Sequence, residues 1–163
     1  MIGLKGVVAF AFGTPYTTQA NREIRNIAAR CSAPIFTQQD IQFPDIWNMD
    51  VTYCVEKSGE PPPTLRIARE AVQWAVRLGI DEVTVVAARP HLWRAMRDMK
   101  MALKESGATY ILVTKSSEVG QHPDDSWYSA DSTQERARSA RAFLPREYTL
   151  RLMPSWLYKM VAS

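Results

Sequence analysis

A single-domain, three-layer α/β sandwich of about five mainly parallel strands is the fold this sequence predicts. Three observations predict it. Residues 4–12 are apolar almost throughout, as a strand buried on both faces of a parallel sheet is. Residues 82–88 repeat that pattern around Val83-Thr84-Val85-Val86. Amphipathic helical runs alternate with these and weaker strand-like runs, the order that right-handed crossovers between parallel strands produce.

Taken in order, residues 4–12 run into Gly13-Thr14-Pro15-Tyr16-Thr17-Thr18, a turn in which Thr17 or Thr18 can cap the next helix. That helix covers residues 19–31, with Ile24, Ile27, Ala28 and Cys31 on one face and Arg22, Arg25 and Arg30 mostly off it. Residues 33–39 read as a weaker strand. Residues 40–48 read as a loop whose Phe43, Ile46 and Trp47 cover a core edge, and the alternation of Val51, Tyr53 and Val55 predicts a third strand over 50–57. Residues 58–64, Ser-Gly-Glu-Pro-Pro-Pro-Thr, are the sharpest breaker, because prolines can lead into a helix but not continue one.

The helix that follows, to Leu78, is the clearest in the chain. Leu65, Ala68, Val72 and Ala75 form one stripe, Ile67, Ala71, Trp74 and Leu78 an adjacent one, and Arg66, Arg69, Glu70, Gln73 and Arg77 lie opposite, with Gly79 as the C-cap. After the 82–88 strand a helix over 92–103 buries Leu92, Ala95, Met96, Met99 and Leu103 and stops at Gly107, and residues 109–114 read as the fifth strand. Residues 116–132 are polar and predict a long surface loop. A helical tail from about Thr133 is expected to break at Pro145 and Pro154. Its arginines, from Arg136 to Arg151, read as a solvated face. Leu150, Leu152, Trp156, Leu157 and Met160 are too apolar for a free tail, and predict either packing back on the sheet or a homo-oligomer contact.

Composition excludes several classes. The 163 residues are 46% hydrophobic and 23% charged, as in an ordinary globular domain. A net charge of +3 and a pI near 9.0 leave room for an anionic ligand. No dense Lys/Arg block interleaved with aromatics is present, so nucleic acid is not expected as a partner. Cys31 and Cys54 are not spaced as a metal or redox pair and read as buried free thiols. With only His91 and His122 as imidazoles, no metal site is expected, and no cofactor can be specified. No apolar run reaches the roughly 18 residues of a membrane span. The first six residues lack a signal peptide's pattern, so the expected compartment is the cytoplasm. The chain has no Gly-x-Ser-x-Gly elbow, Walker loop or Gly-x-Gly-x-x-Gly, which argues against esterase, nucleotide-hydrolysing and hydride-transfer chemistry.

The functional reading centres on Ala87-Ala88-Arg89-Pro90-His91-Leu92-Trp93-Arg94, where a strand ends and a helix begins. Ligands of parallel α/β sheets bind outside the carboxyl ends of the strands, and first-turn amides favour an anion. Arg89 and Arg94 add charge, and His91 can donate, accept or move a proton. The bland alternative is a helix-start histidine beside surface arginines. Gly13 and Thr14 are either turn residues or donors to the same ligand. Thr64 is either an N-cap or a ligand contact, and Asp40 is either a loop acid or a group that holds a ribose or acts as a base. Glu56 or Glu60 can orient His91. Glu147 reads as the partner of a tail arginine, and His122 as solvated.

Residues 64–95 resemble the SanA/YdcF/ElyC-type family of small α/β proteins. Three features support the likeness: Thr64 opening Thr-Leu-Arg-Ile-Ala-Arg-Glu-Ala, the apolar strand Val-Thr-Val-Val-Ala-Ala, and His91-Leu92-Trp93-Arg94-Ala95, similar to the family's His-x-x-Arg-Ala. Arg146-Glu147 resembles a family Arg/His-Glu pair before the final helix. The resemblance implies a Rossmann-like sheet with a site at the strand ends for a small anionic or nucleotide-like molecule. This chain has one glycine, Gly13, where the family's first turn is glycine-rich, and Pro-Pro-Pro-Thr64 where the family has Ser-x-Asn-Thr. Residues 6–21 resemble, more thinly, the start of small tetrapyrrole chelatases, with Phe12 at the position of their metal-ligating His.

The expected function is therefore binding of a small anionic or nucleotide-like ligand between the Gly13 turn, the Thr64 helix start and the His91 turn. If a reaction occurs there, His91 is the candidate acid/base and Arg94 the charge stabiliser. The alternative is an interaction protein that forms a homodimer through its apolar carboxyl-terminal segment.

Overall fold

The structure is a computed structural model and describes residues 3–56 and 62–162. Its strands are β1 (Lys5–Ala9), β2 (Ile35–Thr37), β3 (Val51–Tyr53), β4 (Glu82–Val86) and β5 (Leu112–Lys115). They form one sheet in the order β3-β2-β1-β4-β5, and every neighbouring pair is parallel. The helices are α1 (Gln19–Arg30), α2 (Thr64–Leu78), α3 (Arg89–Ser106), α4 (Ala140–Leu152) and α5 (Ser155–Ala162).

Alternation along β1 sorts the core into two layers. Val7 and Ala9 face one side with Ile35 and Val86, and there they meet Ile24, Ile27 and Ala28 of α1. Val8 and Phe10 face the other side with Phe36, Val83 and Val85, and meet α2 and α3 through residues such as Ile67, Ala71, Ala95 and Met99. The result is the three-layer, Rossmann-like α/β fold that the sequence predicts, with β2 joined to β3 by a loop and a short 3-10 turn at Asp45–Trp47 instead of a helix.

The strands are shorter than the apolar runs, and the reason is visible at their ends. Beyond β1, the ladder gives way to side chains: Ala11 N donates to Gln38 Oε1 at 2.8 Å and Phe12 N to Asn21 Oδ1 at 2.8 Å. Beyond β3, Val55 N donates to Glu70 of α2 and Val55 O accepts from Arg66. Before β5, residues 108–111 form a turn closed by Ile111 N on Ala108 O. The breaker at 58–61, Lys57 and Glu60 lie outside the described residues.

Three further expectations are corrected. The helix after β4 begins at Arg89, so His91 lies inside its first turn, with Pro90 in the position where a missing N–H costs least. The 116–132 loop is anchored: short 3-10 turns at Glu118–Gln121 and Asp124–Trp127 bury Val119 and Trp127 against the α1 layer. Pro145 does not break the tail. It lies inside α4 and forgoes one backbone bond, while Phe143, Glu147 and Leu150 keep one face of the helix buried.

Pro154 does end α4, and α5 follows. The carboxyl-terminal segment packs back on helices instead of on the sheet. Tyr158 is buried and donates its hydroxyl to Asp98 Oδ2 of α3 at 2.8 Å. Arg97 of α3 donates to the carbonyls of Leu150 and Met153 at the end of α4 and lies 4.1 Å over the Tyr158 ring. Leu152, Trp156 and Met160 stay exposed. Among the described residues no helix is long and apolar enough to cross a membrane.

Candidate functional site

In this sheet the chain works outward from β1 in both directions, so the strand order reverses between β1 and β4. The crevice at such a switch point, outside the carboxyl ends of the strands, is where open α/β sheets hold ligands. Here Gly13 follows β1, Asp40 follows β2, His91 and Arg94 follow β4, and Thr64 opens α2. All five line one small cavity of about 60 Å³, together with Arg136.

Each is positioned by local chemistry. Gly13 has φ +78, and a Cβ there would stand 2.6 Å from Ser132 Oγ and 2.8 Å from Ala137 Cβ, so both its conformation and its surroundings require glycine. The Asn21 carboxamide closes the same turn by donating to the carbonyls of Gly13 and Pro15. Thr14 does not line the cavity: its carbonyl accepts from Ser132 Oγ and Thr133 N, and its hydroxyl bonds that of Thr133. Arg89 does not line it either, and pairs with Asp124 at 3.1 Å on the surface.

The α2 and α3 helix starts both reach this crevice without a side-chain cap. Pro63 and Ala88 occupy their cap positions, and neither first turn contains an acid. Thr64 is thus the first helical residue and not the cap. By contrast, α1 and α4 are capped by Thr18 and Ser139. At α2 the open first-turn amides and the positive end of the helix dipole favour an anion, whereas at α3 Pro90 has no N–H and His91 N already donates to Ala88 O at 2.8 Å, so that helix start offers its dipole and side chains.

His91 is 4% exposed and is surrounded by the rings of Phe10, Phe12 and Phe143. Arg94 Nη2 lies 3.0 Å from its Nδ1. A guanidinium only donates, so Nδ1 accepts and the ring proton sits on Nε2. Burial first, then the charges of Arg94 and Arg136, push the imidazole well below its ordinary pKa. The Nε2 proton has no acceptor among the described residues, and it belongs to a side chain on the cavity wall. Arg94, not Glu56, orients this ring. Glu56 accepts from Gln39 N and the Cys54 thiol instead.

Arg94 also pairs with Glu147 of α4 at 3.3 Å, and Glu147 is nearly fully buried. Burial raises the Glu147 carboxyl, against the pull of Arg94, Arg151 and Arg146. Asp40 is half-buried on the other side of β1. Burial, then Glu56, raises its carboxyl to about 6.

Arg136 is the functional candidate that the sequence reading misses. It is an exposed residue whose guanidinium has no carboxylate partner among the described residues. Desolvation first, then Arg146 and Arg94, lower its pKa. The Arg-rich run is therefore not one solvated face: Arg138 donates to Ser132 O at 2.7 Å and Arg151 stacks on Trp93 and Tyr148. His122 likewise is not simply solvated, since it contacts Glu23 and the Trp127 ring. Among the described residues no group of three or more His, Cys, Asp and Glu could hold a metal, and Cys31 and Cys54 are unpaired.

Comparison with family models, with curated protein sequences and with solved structures finds no match.

Proposed function

We propose that this protein binds a small anionic molecule, phosphate-bearing or nucleotide-like, at the switch point between β1 and β4. One observation carries the reading: two helix starts without a side-chain cap, Arg94, Arg136 and an Nε2–H of His91 that has no acceptor among the described residues converge on one cavity, with Asp40 the one acid among its described lining residues. The resemblance to the SanA/YdcF/ElyC-type family points to the same place. In this reading His91 acts as a neutral hydrogen-bond donor, because an imidazole held neutral suits donation better than proton exchange near pH 7. If the bound molecule reacts, Asp40 is the group on the cavity wall whose carboxyl, raised to about 6, can exchange a proton there.

The test is a thermal-shift screen against phosphate, nucleotides and other phosphate-bearing metabolites, with Arg136→Ala beside the unaltered protein. Ligand that binds only the native state raises Tm by mass action. A rise that Arg136→Ala removes supports the reading, and no rise across the panel overturns it. A second reading, a homodimer through the carboxyl-terminal segment, draws on the exposed Leu152 at the end of α4 and the exposed Trp156 and Met160 one turn apart on α5. Sizing chromatography of Leu152→Glu separates the two.

A further inference from the structure

The inner cavity does not stand alone. A second cavity of about 200 Å³ shares Pro62, Thr64, Arg94 and Arg136 with it, so the two chambers meet at the start of α2 and the two guanidiniums. The outer chamber adds Arg146 of α4, and Leu150 and Val161 give it an apolar wall. No Asp or Glu is among its described lining residues. Of the carboxylates close by, Glu147 pairs with Arg94 and Arg151 and also attracts Arg146, and Asp98 accepts from the Tyr158 hydroxyl.

Size and charge disagree with a ligand bearing one anionic group. The inner chamber, at about 60 Å³, is far below the several hundred Å³ typical of sites for whole metabolites, and suits one tetrahedral oxyanion. One oxyanion placed there meets Arg94, Arg136 and His91 but puts no anionic group of the ligand beside Arg146, whose nearby carboxylate, Glu147, is shared with Arg94 and Arg151. Three guanidiniums around one opening repel each other, and Arg146 and Arg94 both lower the Arg136 pKa. A second anionic group joined through one bridging oxygen would lie between Arg136 and Arg146 and relieve that repulsion.

We infer that the ligand is of the diphosphate class, with one phosphoryl group in the inner chamber at Arg94 and His91, the next in the outer chamber between Arg136 and Arg146, and its organic part along the Leu150 and Val161 wall. This rests on the anion-site reading above. It makes Arg146 a residue that discriminates between one phosphoryl group and two, and gives it no part in holding the first.

The experiment is isothermal titration calorimetry with inorganic phosphate and with pyrophosphate at fixed ionic strength. Arg146→Gln, Arg136→Gln and, as a charge control, Arg141→Gln are compared with the unaltered protein. Arg146 and Arg141 are both exposed, so neither change threatens the fold. The unaltered protein should bind pyrophosphate at least about tenfold more tightly than phosphate. Arg146→Gln should erase most of that preference while phosphate affinity stays within about twofold, Arg136→Gln should weaken both ligands, and Arg141→Gln should change neither. Equal binding of the two ligands, a preference that survives Arg146→Gln, or an equal loss in Arg141→Gln would overturn the inference and leave the anion site standing. Failure of both ligands to bind would remove the anion site as well.

Discussion

Arg94 Nη2 lies 3.0 Å from Nδ1 of His91, and that contact decides which proton the imidazole keeps. Because the guanidinium has no acceptor, His91 is the Nε2–H tautomer, buried and neutral. Nitrogen-15 NMR of the imidazole should show an unprotonated Nδ1 that does not titrate between pH 7.5 and 5.5. A midpoint near 6.5 would sink this assignment. The same burial makes a stability statement. The unfolded chain takes up a proton near pH 6.5 and the folded chain resists it, so His91's contribution is complete above that pH and is lost as pH falls. The stability difference between the unaltered protein and His91→Gln should therefore shrink on acidification from pH 7.5 to 5.

Arg94 serves two groups at once, and this complicates its use as a probe. Its Nε faces the Glu147 carboxylate at 3.3 Å, with both side chains largely out of water. Removing Arg94 leaves the buried Glu147 charge with only the longer contact to Arg151 at 3.8 Å, so Arg94→Ala is expected to cost about 3 kcal/mol in urea unfolding. Arg94→Ala combined with Glu147→Gln should recover much of that loss, since the orphaned charge goes with it. A double variant no more stable than Arg94→Ala would show that the loss comes from packing. Arg136, exposed and without a carboxylate partner among the described residues, is the cleaner site for testing ligand binding.

What could be read from the sequence follows from how local the information is. The apolar run of β4, the stripes of α2 and the glycine stops at Gly79 and Gly107 are local signals, and each forms as expected except that Leu78, at the last turn of its stripe, is exposed where α2 runs past the sheet's cover. Gly13, Asp40, Thr64, His91 and Arg94 were legible as a group because each sits at a strand end or helix start, and parallel topology brings such ends together. Thr14 and Arg89 occupy the same kind of position, yet Ser132, Thr133 and Asp124 engage them, which no local pattern announces. Arg136 and Arg146 were hidden for the same reason. Their place depends on the chain returning more than a hundred residues later to close on Thr14. Trp127 in an otherwise polar loop was the available hint that this segment is anchored.

That long-range closure makes Gly13 a double-purpose position. Its φ of +78 and the nearness of Ser132 and Ala137 mean that Gly13→Ala must strain the turn and push residues 132–137 outward. The destabilisation expected is about 1–3 kcal/mol by urea unfolding. Since Arg136 belongs to the displaced segment, affinity for an anionic ligand should fall in the same variant even under conditions where it remains folded. Unchanged affinity in folded Gly13→Ala protein would show that Arg136 does not depend on this turn.

The buried contact between Tyr158 and Asp98 fastens α5 to α3, and its strength should depend on pH. Burial raises the Asp98 carboxyl to about 6, while the Tyr158 hydroxyl at 2.8 Å and then Arg94 and Arg97 hold it down. An unfolded aspartate titrates near 3.9, so the folded state binds the extra proton between about pH 4 and 6. Stability arising from this group is therefore greatest at the acid end of that window and declines as pH rises through 6. Tyr158→Phe removes the donor that favours the charged form, which moves the folded titration higher and extends the decline. Its destabilisation should thus be larger at pH 8 than at pH 4.5, reaching about 1–3 kcal/mol for the buried acceptor left without its partner. Asp98→Asn keeps an oxygen for the tyrosine but cannot charge, and should flatten the profile across pH 4–6. Urea unfolding at both pH values reads all three proteins. Equal losses for Tyr158→Phe at the two pH values would mean that Asp98 is not ionised in the folded protein at pH 8, and that a neutral hydrogen bond holds α5 in place.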